Sequence, residues 1–203
     1  MMEWLQVARW GGLCLLLANC AQNLYGQAVG YSPVAPEPID VVMPAGARYI
    51  SQQFSPRQEN VVYAHTGLDV WGDTKTPIIA AAPGVVIAAK VEPMHGRQIH
   101  VLHGTDKDGQ MVFTTYHHLS EIRVVSGQNL ARGEQIGIMG SSGAAAVMVH
   151  LHFEVRKGPS RRKAKPVDPH FLWVNGVGQV TCFDPGAQYT RRPIRLTYPT
   201  SCR

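Results

Sequence analysis

Two histidines one residue apart, His150 and His152, stand in the run His150-Leu151-His152-Phe153-Glu154-Val155. The Val, Leu and Phe of that run read as a strand. Alternation along a strand puts both imidazoles on one face and turns Leu151 and Phe153 toward the core. Imidazoles fixed side by side can hold a metal together, or one can hold it while the other moves protons. A second stretch, His65-Thr66-Gly67-Leu68-Asp69, adds a histidine and a carboxylate. Two neutral nitrogens and one anionic oxygen suit zinc and leave a fourth coordination position open, which is the arrangement of a zinc hydrolase. Glu154 shares the face of His152 on a regular strand, where it either orients an imidazole or forms a structural ion pair.

The elements that must position these groups are short. From Arg48 to about Leu172 the chain reads as β-type runs broken by Gly, Pro and Asp: Gly84–Ala89, Gln98–Leu102, Met111–Tyr116 and Gln135–Ile138 are examples. Asp106-Lys107-Asp108-Gly109 between two runs is a hairpin turn. No helical period lasts three turns and no repeat is present, so the expected fold is all-β, mainly antiparallel, with little helix. This domain spans residues 46–172.

What flanks it is different. Residues 1–21 carry one basic residue, Arg9, before the apolar run Leu13–Ala18, which is too short to span a bilayer and the right length for a signal peptide. Leu17-Ala18-Asn19-Cys20 resembles a lipoprotein processing site, which would put lipid on Cys20; ordinary cleavage after Cys20 or near Gly26-Gln27-Ala28 would release a soluble protein, and the soluble exit is favoured. Either way the chain is expected in the periplasm or cell envelope. Residues 22–45, punctuated by Pro33, Pro36, Pro38 and Pro44, read as an extended linker. The extension 173–203 carries Cys182 and Cys202, which an oxidising compartment would pair as a structural disulfide.

A formal net charge of +5 favours anionic surroundings: nucleic acid, a membrane face or an acidic wall polymer. The basic run Arg156, Lys157, Arg161, Arg162, Lys163 and Lys165 has no interleaved aromatics, so nucleic acid is not expected as a partner. A solvated loop facing envelope polymers fits it better.

The ordered series His65-x-x-x-Asp69, Tyr116-x-His118-Leu119-Ser120, Ser126-Gly127-Gln128 with Arg132-Gly133, His150-x-His152-Phe153-Glu154 and Asp168-Pro169 resembles the lysostaphin-type (LytM-like) zinc endopeptidases of bacterial cell walls. The resemblance covers roughly Arg48 to Leu172. It implies a β-sheet groove with one zinc on its floor, bound by His65, Asp69 and His152, with His150 and His118 as catalytic histidines and peptidoglycan peptide bonds as substrate. His117 falls where many members have a small residue and reads as a surface or rim group; His103 reads as a structural hydrogen-bonding residue near a strand end, and His95, His100 and His170 as surface or scaffold. Two departures lie in groove loops: Met148-Val149 replaces the usual Gly-Pro, and Phe54-Ser55-Pro56-Arg57 the usual Phe-Gly-x-Arg. They bear on which bond is cut. The rival reading is a catalytically inactive wall-binding module or amidase activator; such relatives typically lack ligand or catalytic residues, and here all five positions are filled.

Overall fold

In chain order the described strands are β1 (Ile50–Gln52), β2 (Leu68–Trp71), β3 (Pro77–Ile79), β4 (Gly84–Glu92), β5 (Gly96–Thr105), β6 (Met111–Leu119), β7 (Glu121–Ile122), β8 (Asn129–Leu130), β9 (Gln135–Ile138), β10 (His150–Gly158) and β11 (Lys165–Val167). The structure is a computed structural model and describes residues 39–55 and 64–202. The run read as a signal segment, with Cys20, most of the stretch read as linker, and Pro56-Arg57 lie outside the described residues.

The main sheet has eight strands in the order β1-β2-β10-β6-β5-β4-β8, with β11 also on β10; β3-β9-β7 form a smaller sheet. Every pairing between these strands is antiparallel. Helical structure among the described residues is confined to two 3-10 turns, Arg161–Lys163 and Pro169–Phe171. The all-β, antiparallel expectation therefore stands.

Period-2 alternation sorts the two faces of the main sheet. Leu68 and Val70 of β2, Leu151, Phe153 and Val155 of β10, Val112 and Tyr116 of β6, and Ile99 and Val101 of β5 are all buried in one core. Full burial of a side chain of this size contributes about 1.5–3 kcal/mol, so this face fixes the register of β10. The opposite face of the same strands carries His150, His152 and Glu154, and it too is buried.

The domain is larger than its composition advertised. The compact unit begins at Ile39, where Val41 and Met43 pack on the core and Val42 pairs with Gln179. The last residues of the stretch read as linker thus belong to the domain. So does the segment read as an extension: Trp173, Leu196 and Tyr198 are buried in the core, and Thr200 pairs with Ile78 of β3. Cys182 and Cys202 are joined in a disulfide with a Cα–Cα distance of 5.9 Å.

Candidate metal centre

The register of β2 on β10 sets Asp69 opposite His152 and Trp71 opposite His150. Residues paired across antiparallel strands share a face, so Asp69 joins the two histidines without any help from loops. Gly67 allows the close approach: a Cβ there would press on the Phe153 carbonyl oxygen of β10. His65, just before β2, is held by a pair of main-chain hydrogen bonds with Ser55, both 2.9 Å. Its ring then reaches the same point.

There the separations are 3.1 Å between His65 Nε2 and Asp69 Oδ1, 3.1 Å between His65 Nε2 and His152 Nδ1, and 2.8 Å between His152 Nδ1 and Asp69 Oδ1. Tetrahedral ligands at about 2.0–2.1 Å from zinc lie about 3.3 Å from one another, close to this triangle. The proton inventory agrees. His65 Nδ1–H donates to Gln53 O at 2.8 Å, which leaves a lone pair on Nε2. His152 Nε2–H faces Glu154 Oε1 at 3.3 Å, which lets Nδ1 present its lone pair to the triangle. Once His152 gives up its Nδ1 proton, the three atoms converge as lone-pair donors, an arrangement that suits a cation. The set fits a metal such as zinc.

His150 and His118 flank the triangle. His150 Nδ1–H donates to Met148 O at 2.9 Å, and its Nε2 lies 3.8 Å from Asp69 Oδ1. The Met148 that departs from the usual Gly-Pro thus orients His150 through its main chain, which any residue supplies. His118 Nδ1–H donates to Ser142 O at 2.9 Å, and its ring centroid lies 4.8 Å from that of His150. Regular alternation would send His118 away from His117. It does not, because two residues of β6, His117 and His118, oppose the single Gln98 of β5 between Arg97↔Leu119 and Ile99↔Tyr116, and His118 takes a φ of 63°. This bulge re-aims the ring onto the site face. Among the described non-glycine residues His118 alone has positive φ, and main-chain bonds to His95 O (3.1 Å) and from Ser142 N (3.4 Å) hold it there.

The electrostatics follow from burial opposed by hydrogen bonds. Burial pushes the Asp69 carboxyl up, but its bonds with His152 and His65 hold it well below the usual carboxylate range. Glu154 is likewise pushed up by burial and held far down by bonds from His152 and from Thr66, whose hydroxyl donates at 2.5 Å. Burial pulls His152 down, yet without metal its bonds to Asp69 and Glu154 carry its pKa to about 9. Burial lowers His118 to about 4 against the pull of its bond to Ser142, so it is neutral at pH 7.

All five sequence-chosen site residues meet here, and Glu154 fills both roles held open for it: it accepts from His152 and, at 2.9 Å, from Arg156. His117 is a correction: it is 5% exposed, because the rings of His95, His100 and His152 pack around what the sequence presents as a rim. His170 is also buried, accepting from Trp173 Nε1 at 2.9 Å and donating to Gln53 Oε1 at 2.8 Å, so it props the residue that orients His65. His103 Nδ1–H donates to Pro83 O and its Nε2 pairs with Thr114 Oγ1, both at 2.8 Å, so it is structural. The carbonyls of Gln53, Ser142 and Met148 carry no sequence signal, since a main-chain acceptor has no residue type; Thr66, which acts through its hydroxyl, is passed over as part of the His65–Asp69 spacing.

Comparison with known proteins gives the same picture. The model of Peptidase family M23 matches residues 63–169. The chain is 34% identical over 110 residues to the peptidoglycan DD-endopeptidase ShyA of Vibrio cholerae, covering 52% of this chain and 24% of that protein. It is 37% identical over 105 residues to the cell division protein DipM of Caulobacter vibrioides, covering 51% and 16%. The chain thus spans a quarter or less of these relatives. Among solved structures it is similar to a zinc-containing peptidase from Vibrio cholerae (TM-score 0.51, 27% identity, 64% of this chain and 38% of that one). It is also similar to a variant catalytic domain of the prophage-encoded M23 protein EnpA from Enterococcus faecalis (TM-score 0.52, 26% identity, 64% and 95%). With the site motifs inside the matched stretch and the fold in common, the chain belongs to peptidase family M23.

Proposed function

We propose that this chain is an exported zinc metalloendopeptidase that hydrolyses peptide bonds in the stems or cross-links of peptidoglycan, with one catalytic zinc held by His65, Asp69 and His152. The observation that carries the reading is the triangle of acceptor atoms at 2.8–3.1 Å beside two histidines with Nδ1 already committed. When bound there, zinc supplies Lewis acidity toward a water and a carbonyl oxygen. With Nδ1–H of His150 and His118 anchored on main-chain carbonyls, each ring keeps a lone pair on Nε2, which for His150 lies 3.8 Å from Asp69 Oδ1. Such a nitrogen can take a proton from the attacking water and return it to the leaving amine. Glu154 holds the Nε2–H of His152 and so fixes its tautomer and ring plane. Exposed Trp71, Val147 and Met148 lie near His150 in sequence or register and offer apolar surface to a bound stem.

The names of the DD-endopeptidase relatives support peptidoglycan as substrate and make direct D,D cross-links the first bond to test. The N-terminal run read as a signal segment and the net charge of +5 support an envelope location, soluble or attached through a lipidated Cys20. The inactive-module reading is disfavoured by the five filled site positions.

The test is digestion of purified cross-linked peptidoglycan followed by separation of the muropeptides. Cross-linked dimers should convert to monomers with new amino termini, stop doing so on chelation, and resume when zinc is restored. Dimers that persist with zinc present, for both direct and glycine-bridged walls, would contradict the assignment.

A further inference from the structure

We infer a second binding site, a basic cavity between the start of β4 and the C-terminal segment, which takes the free carboxylate end of a short peptide with small apolar side chains. The cavity has a volume of about 360 Å³. That is at the low end of the range of about 300–1,000 Å³ usual for small-molecule sites, room for a peptide end rather than a long segment. Val85, Leu130 and Ile194 line it together with Arg132, Arg191 and Arg195, and no carboxylate does. It is separate from the metal centre. His103, also in its wall, pairs with Thr114, which alternates with the core residues Val112 and Tyr116, whereas the metal ligands lie on the opposite face of the sheet. Arg191, Ile194 and Arg195 fall beyond residues 63–169, so this wall lies outside the stretch that matches the family. It falls instead inside the loop closed by Cys182–Cys202.

The arginines set the preference for an anion. Arg132 donates to Ala81 O at 2.6 Å and to Arg195 O at 2.9 Å, and its guanidinium lies 4.5 Å from the centre of the Tyr189 ring. These contacts tie down the C-terminal segment but leave the Arg132 charge without a counter-ion. Its Nε is buried with no partner among the described residues, and burial pulls its pKa down with only Tyr189 and Tyr116 opposing. The arginines that do pair with carboxylates among the described residues are Arg123 and Arg156. Arg191 is exposed at the rim, and Arg195 gives one N–H to Phe171 O at 2.9 Å and keeps other donors. A cation partly withdrawn from water gains when an anion arrives, and guanidinium forks match a carboxylate. A bare inorganic anion would leave Val85, Leu130 and Ile194 uncovered, so small apolar side chains beside the carboxylate complete the fit. Uncross-linked peptidoglycan stems end in this way, in D-alanine. This choice of peptide rests on the proposed function: the cavity holds a stem that is not being cut and keeps the enzyme on its polymer.

Titration of isotope-labelled, zinc-loaded full-length protein with N-acetyl-D-alanyl-D-alanine, followed through the main-chain amide NMR signals, tests this. Saturable shifts should appear at Val85, Leu130 and Ile194. The C-terminal amide of the same peptide, and inorganic phosphate, should bind about tenfold more weakly or worse. The same loss is expected for the acid with Arg191→Glu, and with Val85→Phe, which fills the cavity from a partly exposed position. Shifts confined to β2 and β10, equal binding of acid and amide, phosphate binding as tightly as the peptide, or binding unchanged in both variants would each overturn the proposal. Cross-link cleavage is read separately. Cleavage that persists without these shifts sinks the cavity assignment alone; shifts without cleavage leave the carboxylate site standing and overturn the endopeptidase reading.

Discussion

A His152 ring that keeps both its protons up to a pKa of about 9 must lose one before Nδ1 can take a metal. Metal entering the metal site at pH 7.5 should therefore release about one proton, and apparent affinity should fall about tenfold for each unit the pH drops below 9. Calorimetric titration in buffers of different ionisation enthalpy measures the release, and a value near zero would mean that Asp69 and Glu154 do not hold an imidazolium between them. His118 permits a cleaner substitution than most catalytic candidates. Its φ of 63° is a conformation glycine adopts without strain, so His118→Gly should fold normally and keep its metal. Its turnover should fall by about 10²–10⁴, the range for a lost general acid–base group. Unchanged cleavage by this variant would remove His118 from the chemistry.

Strand β10 sits between β2 and β6 and supplies three of the site's side chains from one face. Its position against β2 depends on Gly67, where a Cβ would meet Phe153 main chain rather than a movable side chain. Gly67→Ala should cost about 1–3 kcal/mol in denaturant unfolding and weaken metal binding, because Asp69 two residues on shifts with β2. Equal stability and affinity in the variant would show that the two strands tolerate separation. The face carrying His150, His152 and Glu154 was legible in the sequence because it depends only on alternation within one strand. So were the antiparallel class and the hairpin at Asp106–Gly109, which are local. The approach of His118 was not legible from periodicity, which sends neighbours to opposite faces; only its resemblance to a known motif selected it. The bulge that overrides alternation arises from pairing with β5, distant in the chain. His117 was misread for the same reason, since its cover comes from other strands. The domain boundaries failed differently: polar, proline-rich flanks hid Val41, Met43 and Trp173, single apolar residues that fill gaps in a core built elsewhere.

At the scale of the molecule, the C-terminal segment closes the core from Trp173 to Tyr198 and is tied by Cys182–Cys202, 20 residues apart. Opening that loop should cost about 3 kcal/mol, so the double variant Cys182→Ser, Cys202→Ser should melt at clearly lower temperature and lose the wild type's sensitivity to reductant. Buried titratable groups set the pH response of the metal-free protein. Burial lowers His100, His103 and His118 to about 4 and His117 to about 2, so as pH falls from 6.5 the unfolded chain binds protons that the folded chain refuses. Asp69 and Glu154, held low when folded, add a loss of the same sign at lower pH. His152 acts oppositely: raised to about 9, it stabilises below 6.5 and loses that contribution as pH rises through 9. Thermal melts without metal should therefore fall steeply from pH 6.5 toward 4; a flat profile would mean these rings are not buried neutral. The most direct measurement of the whole reading pairs zinc content after dialysis with cross-link cleavage, in wild type and in His150→Ala. One tightly held zinc in both proteins, with cleavage only in wild type, is the expected result and separates the metal-holding triangle from the proton-handling histidine beside it. Absence of zinc from wild type under non-chelating conditions, or full cleavage by His150→Ala, would contradict it.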